Sequence, residues 1–350
     1  MDSIHYCRRC SLPEGYPNIQ LDKENICTHC QNYKPKKTAG REALERKLNQ
    51  QSGKKYDILV PVSGGRDSTF VLYHAVKTFG KRVLAVHYDN EFEVPQARKN
   101  LLQAIERLEC DFKIVSSHYH FPTKMVRHVS KAALPLGLIE IATNACVACT
   151  YGIRAATYRE AVAQGIPFIL WGDSDEEAMS FNYRTSRLKY FLSLRFYHYI
   201  LFLIYTLLFQ LELRIPNGKL FYLTKPGYSG NDLLELHFFD YLAWDRREIK
   251  DLIMKELGWE APKDSATSWR FDCTIHEVIN YCYKQHYGFS KDFDGFANMV
   301  RTGTMEKKEM LEQECNIGLM SAKLIHILKN NFKLSDKDIS RYFDGSFNIT

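Results

Sequence analysis

The chain has 350 residues and a formal net charge of +6, with 45% hydrophobic and 25% charged residues. Those proportions exclude a disordered or fibrous chain and leave room for one large core or two modest ones. The positive balance suits a phosphorylated or nucleotide-linked substrate but is too mild to make nucleic acid the expected partner.

In chain order, residues 1–33 come first as a cysteine-bearing module. Cys7, Cys10, Cys27 and Cys30 give C-x2-C-x16-C-x2-C, the spacing of two knuckles that set four thiolates around one Zn²⁺. No basic segment leading into an apolar one opens the chain, so its ten cysteines predict metal or redox chemistry in a reducing cytoplasm, not disulfides. Residues 34–55 read as a basic linker and a short polar helix. From 56 to 188, strands expected at 57–62, 83–88, 112–116 and 167–170 alternate with helices near 68–79, 95–109, 120–134 and 147–164. That alternation predicts an α/β fold with a parallel sheet, whose functional residues gather at the carboxyl ends of the strands.

Residues 189–230 form an apolar insertion. Its run from Tyr199 to Phe209 is too short for the roughly 20 residues of a bilayer span, which predicts a buried or partner-packed helix and no transmembrane span. Residues 231–350 read as mostly helical, at 245–257, 274–287, 305–314, 320–331 and 335–343.

The most specific motif is Ser63-Gly64-Gly65-Arg66-Asp67-Ser68, at the junction of the first strand and its helix. A strand that turns on glycines into a helix start presents unpaired N–H groups and a positive dipole end, which suits a pyrophosphate. The spacing is not that of a Walker A loop. It resembles the SGGxDS loop of the ATP pyrophosphatases, the PP-loop enzymes, and the resemblance implies ATP cleaved to AMP and pyrophosphate. Two further stretches follow strands: His87-Tyr88-Asp89-Asn90, where Asp89 and Asn90 are candidates for the adenosine, and Trp171-Gly172-Asp173-Ser174-Asp175. Asp67 and Asp173 are the expected catalytic carboxylates, with Asp173 placed to hold Mg²⁺ beside phosphate. Arg154, Arg184 and Arg187 are candidates for substrate phosphates.

Cys146 and Cys149 form a second C-x-x-C at a helix start, where thiols tend to thiolates. Cys273 is the best third ligand, with Asp272, His276 or Cys282 nearby; three thiolates would suit a 4Fe-4S cluster, and three plus a side chain a second Zn²⁺.

Taken together, these segments resemble the bacterial N-acetyl sugar amidotransferases of surface-polysaccharide and flagellin-glycan synthesis. The likeness runs through the amino-terminal cysteines, Ser63–Ser68, His87–Asn90, Asn144–Gly152, Leu170–Asp173, Gly258-Trp259, Arg270-x-Asp272-Cys273 and Val300-Arg301-x-Gly303. It implies a PP-loop domain of the adenine nucleotide alpha-hydrolase type, flanked by a zinc ribbon and a helical carboxyl-terminal region. It further implies that ATP binds at Ser63–Ser68, Asp89, Asn90 and Gly172, that an N-acetyl sugar becomes an acetamidino sugar for lipopolysaccharide or O-antigen, and that a separate glutaminase subunit supplies ammonia. Glu91 departs from the pattern, because related enzymes commonly carry glycine there. Iron–sulfur tRNA thiolases share the loop, the zinc knuckles and the three-cysteine arrangement, and are the alternative.

Overall fold

The computed structural model describes residues 5–177, 187–213, 233–262 and 271–343. One sheet is built from β1 (Ile58–Pro61), β2 (Val83–Asp89), β3 (Asp111–Ser116), β4 (Phe168–Trp171) and β5 (Leu234–His237). Its order is β3-β2-β1-β4-β5, and every pairing is parallel. The first four strands fall where the apolar runs predict them. β5 does not: Glu235 and His237 break any apolar run, so a four-residue edge strand hides in a stretch expected to be helical.

Along the strands, Leu59, Leu84 and Ile169 are buried in one layer, while Ile58, Val60, Ala85 and Phe168 are buried in the other. A sheet covered on both faces explains why its strands are near-continuously apolar. The helices in chain order are α1 (Thr28–Gln31), α2 (Arg41–Leu48), α3 (Arg66–Tyr73), α4 (Pro95–Leu108), α5 (Phe121–Ala133), α6 (Leu138–Asn144), α7 (Val147–Gln164), α8 (Arg187–Phe191), α9 (Phe196–Glu212), α10 (Arg246–Leu257), α11 (Ile275–Tyr287), α12 (Asp292–Thr302), α13 (Lys307–Asn316), α14 (Ala322–Asn330) and α15 (Asp336–Tyr342). The strand order reverses between β1 and β4, so a crevice opens beyond their carboxyl ends.

The four amino-terminal cysteines are buried in the same layer as Phe289 and Phe293, and the Tyr16 and Phe289 rings lie 5.0 Å apart. The cysteine module is therefore fastened to the carboxyl-terminal helices. The apolar segment 189–214 was expected as one buried or partner-packed helix. It is two helices, α8 and α9, and only one face of α9 is covered, through Tyr199, Phe202 and Phe209. A helix apolar on all sides gives no sequence signal of which face packs. The rest of that insertion, from 214 to 230, lies outside the described residues.

Phe209 anchors α9, fully buried with its ring 6.2 Å from Phe121 and 6.4 Å from Tyr88. Phe209→Ala should lower stability by about 3–5 kcal/mol, read from denaturant melts of the two proteins.

Candidate functional site

β1 leads through Val62 into Ser63–Gly65 and then directly into α3. Within the turn, Ser63 donates its N–H to Ser68 Oγ at 3.2 Å, and Gly65 donates its N–H to Ser63 Oγ at 3.2 Å. No side chain caps α3, which leaves the first N–H groups of the helix directed at the crevice with the positive dipole end behind them. Gly64 has φ +76°, and a Cβ there would stand 2.0 Å from the Ala97 carbonyl oxygen, so only glycine fits. Trp259 Nε1 donates to the Gly64 carbonyl at 3.0 Å and pins the turn from the other side. The result is a rigid cradle equipped to hold an anion.

A cleft of about 490 Å³ opens over this cradle, and it draws on the glycine turn, the stretches after β2 and β4 and the second cysteine set. Ser63, Gly65, Arg66, Asp67 and Ser68 line it, as do Asn90, Gly172, Asp173, Cys146, Cys149 and Cys273. Val86, Tyr88, Ile153, Trp171, Phe271 and Ile279 supply apolar wall.

Arg66 is nearly fully buried and pairs with Asp67 at 3.2 Å and Glu177 at 2.5 Å, with its guanidinium 5.2 Å above the Trp244 ring. Asp67 Oδ1 also accepts from Trp244 Nε1 at 3.1 Å. Arg66 thus fastens the loop after β4 to the cradle. Gly172 packs on the Asp67 backbone, its Cβ position 3.4 Å from the Asp67 carbonyl. Asp173 accepts from His237 Nδ1 at 2.9 Å, and that hydrogen bond raises the His237 pKa above its ordinary value. A missed strand hid this partner. The Asp272 carboxylate lies over the turn, with Oδ2 3.3 Å from a Cβ position on Gly65.

Asp89 forms an Asx turn through the Glu91 N–H at 2.9 Å and an ion pair with Arg98 at 3.2 Å. Both its carboxylate oxygens are therefore engaged by protein. Asn90 lines the cleft and donates to Cys149 Sγ at 3.4 Å. Glu91 has φ +68°, a left-handed conformation that glycine takes more freely. Its carboxylate accepts from the Thr123 N–H at 3.1 Å and from His120 at 3.0 Å, gripping the first turn of α5 in return. Arg154 stacks 5.7 Å over Trp171 at the cleft wall. Arg184, Arg270 and the Arg187 side chain lie outside the described residues.

Cys7, Cys10, Cys27 and Cys30 bring four ligand atoms within 4.8 Å of one another. The Cys7–Cys30 and Cys10–Cys27 sulfurs are 3.8 and 3.6 Å apart. A tetrahedron with metal–sulfur bonds of about 2.3 Å has edges of about 3.8 Å, so the set fits one four-coordinate ion. Arg301 Nε donates to Cys30 Sγ at 3.4 Å and Nη2 to Cys10 Sγ at 3.6 Å, a buried cation beside the thiolates. Arg301 Nη1 also donates to Asn298 Oδ1 at 2.6 Å, and Asn298 Nδ2 donates to the carbonyls of Asp175 and Glu176. Hydrogen bonds therefore connect the cysteine module to the acidic loop at the cleft.

Cys146, Cys149 and Cys273, the three cysteines expected to form a second metal site, line the same cleft. Burial pushes the Cys149 thiol up to about 12 and also raises Cys273, which outweighs the helix end expected to lower Cys149. Cys282 is a fully buried packing residue.

No protein-family profile matches the chain. Uncharacterized protein MJ1599 of Methanocaldococcus jannaschii is 21% identical over 296 residues, which are 83% of this chain and 86% of that protein. The U34-tRNA thiolase NcsA from Methanococcus maripaludis, solved with its 4Fe-4S cluster, aligns over 95% of this chain and 100% of its own at 15% identity and TM-score 0.37. The NMN synthetase from Francisella tularensis aligns over 88% and 97% at 13% identity and TM-score 0.36. The phosphoadenylyl-sulfate reductase from Candida auris, in its phosphate complex, aligns over 63% and 88% at 11% identity and TM-score 0.31. Likenesses this distant carry no activity to the chain, and the reading of the site rests on its own residues.

The Asp173–His237 pair gives a pH test. A histidine with a raised pKa contributes its pairing fully below the unfolded value of about 6.5 and loses it as pH rises through the folded value. In Asp173→Asn, the His237 midpoint should fall back toward the ordinary range, read from its ring resonances in an NMR titration.

Proposed function

We propose that the chain is an ATP-dependent, AMP- and pyrophosphate-forming amidotransferase acting on the N-acetyl group of a sugar. The observation that carries this reading is the uncapped start of α3 behind a glycine turn, at the floor of a cleft of about 490 Å³. The amide oxygen attacks the α-phosphorus of ATP and displaces pyrophosphate. The carbonyl carbon of the resulting adenylated imidate is then attacked by ammonia, and AMP departs with the former amide oxygen. The net exchange is O for NH, giving –NH–C(=NH)–CH₃. Donors aimed at the departing pyrophosphate stabilise charge as it develops, and here those are the first N–H groups of α3 with the Ser63 and Ser68 hydroxyls. Asp67, Asp173 and Asp272 are the carboxylates that would hold Mg²⁺, which would offset phosphate charge there. Asn90 and Trp171 line the wall, with Arg154 stacked on Trp171, and in this reading they would contact the nucleotide or sugar. Ammonia would come from a separate glutaminase subunit in the cytoplasm.

In this reading Zn²⁺ occupies the four-cysteine site as a closed, structural ion, since no position is left for substrate. One observation favours a second reading. The cleft that holds the loop also holds Cys146, Cys149 and Cys273, as a thiolase with a 4Fe-4S cluster would require.

The test is to supply ATP, Mg²⁺, ammonium and candidate N-acetyl sugars and to look by mass spectrometry for the product lighter by the O-to-NH difference. Ser63→Ala with Asp67→Asn should reduce pyrophosphate release by at least about 10²-fold, since loss of one such donor alone costs about that much. Sulfur transferred to tRNA, with no nitrogen entering any sugar, would decide for the thiolase. Cys10→Ser should lose the bound zinc measured per chain by elemental analysis and lower the unfolding temperature. Wild-type zinc content in that variant would refute the structural site.

A further inference from the structure

The exposed face of α9 is inside out. Ile200, Ile204, Leu207, Leu208 and Leu211 face solvent, while Thr206 and Gln210 are buried against the protein. The exposed positions recur at the three- and four-residue steps of one helix face. The connection before α9 extends the patch, with Leu192 77% and Leu194 93% exposed, and Phe196 and Tyr197 stand exposed at the start of the helix. An apolar face this continuous marks a surface that something covers.

Two observations say what covers it. Beyond Tyr197, the outward side chains of α9 are isoleucine and leucine alone, with no group to donate or accept a hydrogen bond. A protein partner normally meets hydrogen bonds and aromatic or arginine anchors in such a contact, whereas lipid tails need none. The second observation is charge. α5, the helix packed against α9, carries Lys124, Arg127 and Lys131 on one face, none of them in an ion pair among the described residues. Lys124 lies 5.6 Å from the Tyr205 ring of α9, and His128 on the same face meets His198 of α9 at 2.9 Å. The acidic groups nearby are spoken for: Glu212 accepts from Ser117 and His118, Asp338 pairs with Arg195, and buried Glu140 pairs with Lys189.

We propose that α9 lies in the plane of an anionic bilayer surface, with its Ile and Leu face among the acyl chains and the α5 bases at the headgroups. Its 17 residues span about 26 Å, short of a crossing, and no described helix is long and apolar enough to cross a membrane. Tyr197 and Phe196 would sit at the headgroup boundary, where aromatic rings settle.

The experiment is flotation of the full-length protein with vesicles of phosphatidylcholine alone or mixed with phosphatidylglycerol, at low and high NaCl. The protein should float with the mixed vesicles, less so as salt rises, and much less with phosphatidylcholine alone. Leu207→Glu with Leu211→Glu should abolish flotation, while the unfolding midpoint stays within reach of wild type because both side chains are exposed. Arg127→Gln with Lys131→Gln should weaken binding to mixed vesicles by about five-fold per charge and leave the apolar face intact. Failure of the wild type to float overturns the proposal, as does equal binding by both double variants. A lipid-free dimer that Leu207→Glu with Leu211→Glu dissociates, with no flotation, would make the face a contact between copies instead.

Discussion

The arrangement depends on one unsatisfied set of groups, the N–H donors at the start of α3. A helix end without a cap costs stability unless something accepts those hydrogen bonds. This chain keeps the end open and makes it rigid from outside. Ala97 on α4 fills the space behind Gly64, Trp259 holds the Gly64 carbonyl, and Ser63 and Ser68 close the turn on itself. The donors are thereby preorganised for an anion, with little reorganisation left for the moment of binding.

The same demand explains the ion pairs around the cleft. Arg66 is a buried cation that two carboxylates, Asp67 and Glu177, neutralise from different elements. Breaking such a pair from one side leaves an uncompensated charge, so it ties the loop after β4 to the loop after β1. A second tie reaches that loop from farther away, from the cysteine sulfurs through Arg301 and Asn298 to the carbonyls of Asp175 and Glu176. The amino-terminal module, too small to bury a core of its own, is thus held by the carboxyl-terminal helices and braces the cleft in turn.

Much of the site is legible in the chain because its signals are local. The apolar run into Ser63-Gly64-Gly65, the alternation of strand and helix, and the two cysteine knuckles each need only a few adjacent residues to be recognised. The parallel sheet and the cleft at its strand ends follow from them by general rules of handedness and topology. Residues whose meaning lies in a distant partner are the ones that reading along the chain missed or misplaced. Trp244 and Trp259 look like core aromatics until they reach Asp67 and Gly64. His237 has no role until a fifth strand sets it beside Asp173. The carboxylate partner of Arg66 across the cleft, Glu177, is 111 residues away in the chain.

By itself, then, the order of residues determined the first four strands, the glycine turn and the four-thiolate set, because backbone geometry and ligand spacing are written locally. Only the tertiary structure decided which face of α9 is covered, that Asp89 and Asp173 already have partners within the protein, and that Cys146, Cys149 and Cys273 share one cleft with the glycine turn. Those are matters of which surfaces meet across long separations in the chain, and no periodicity or motif encodes that meeting.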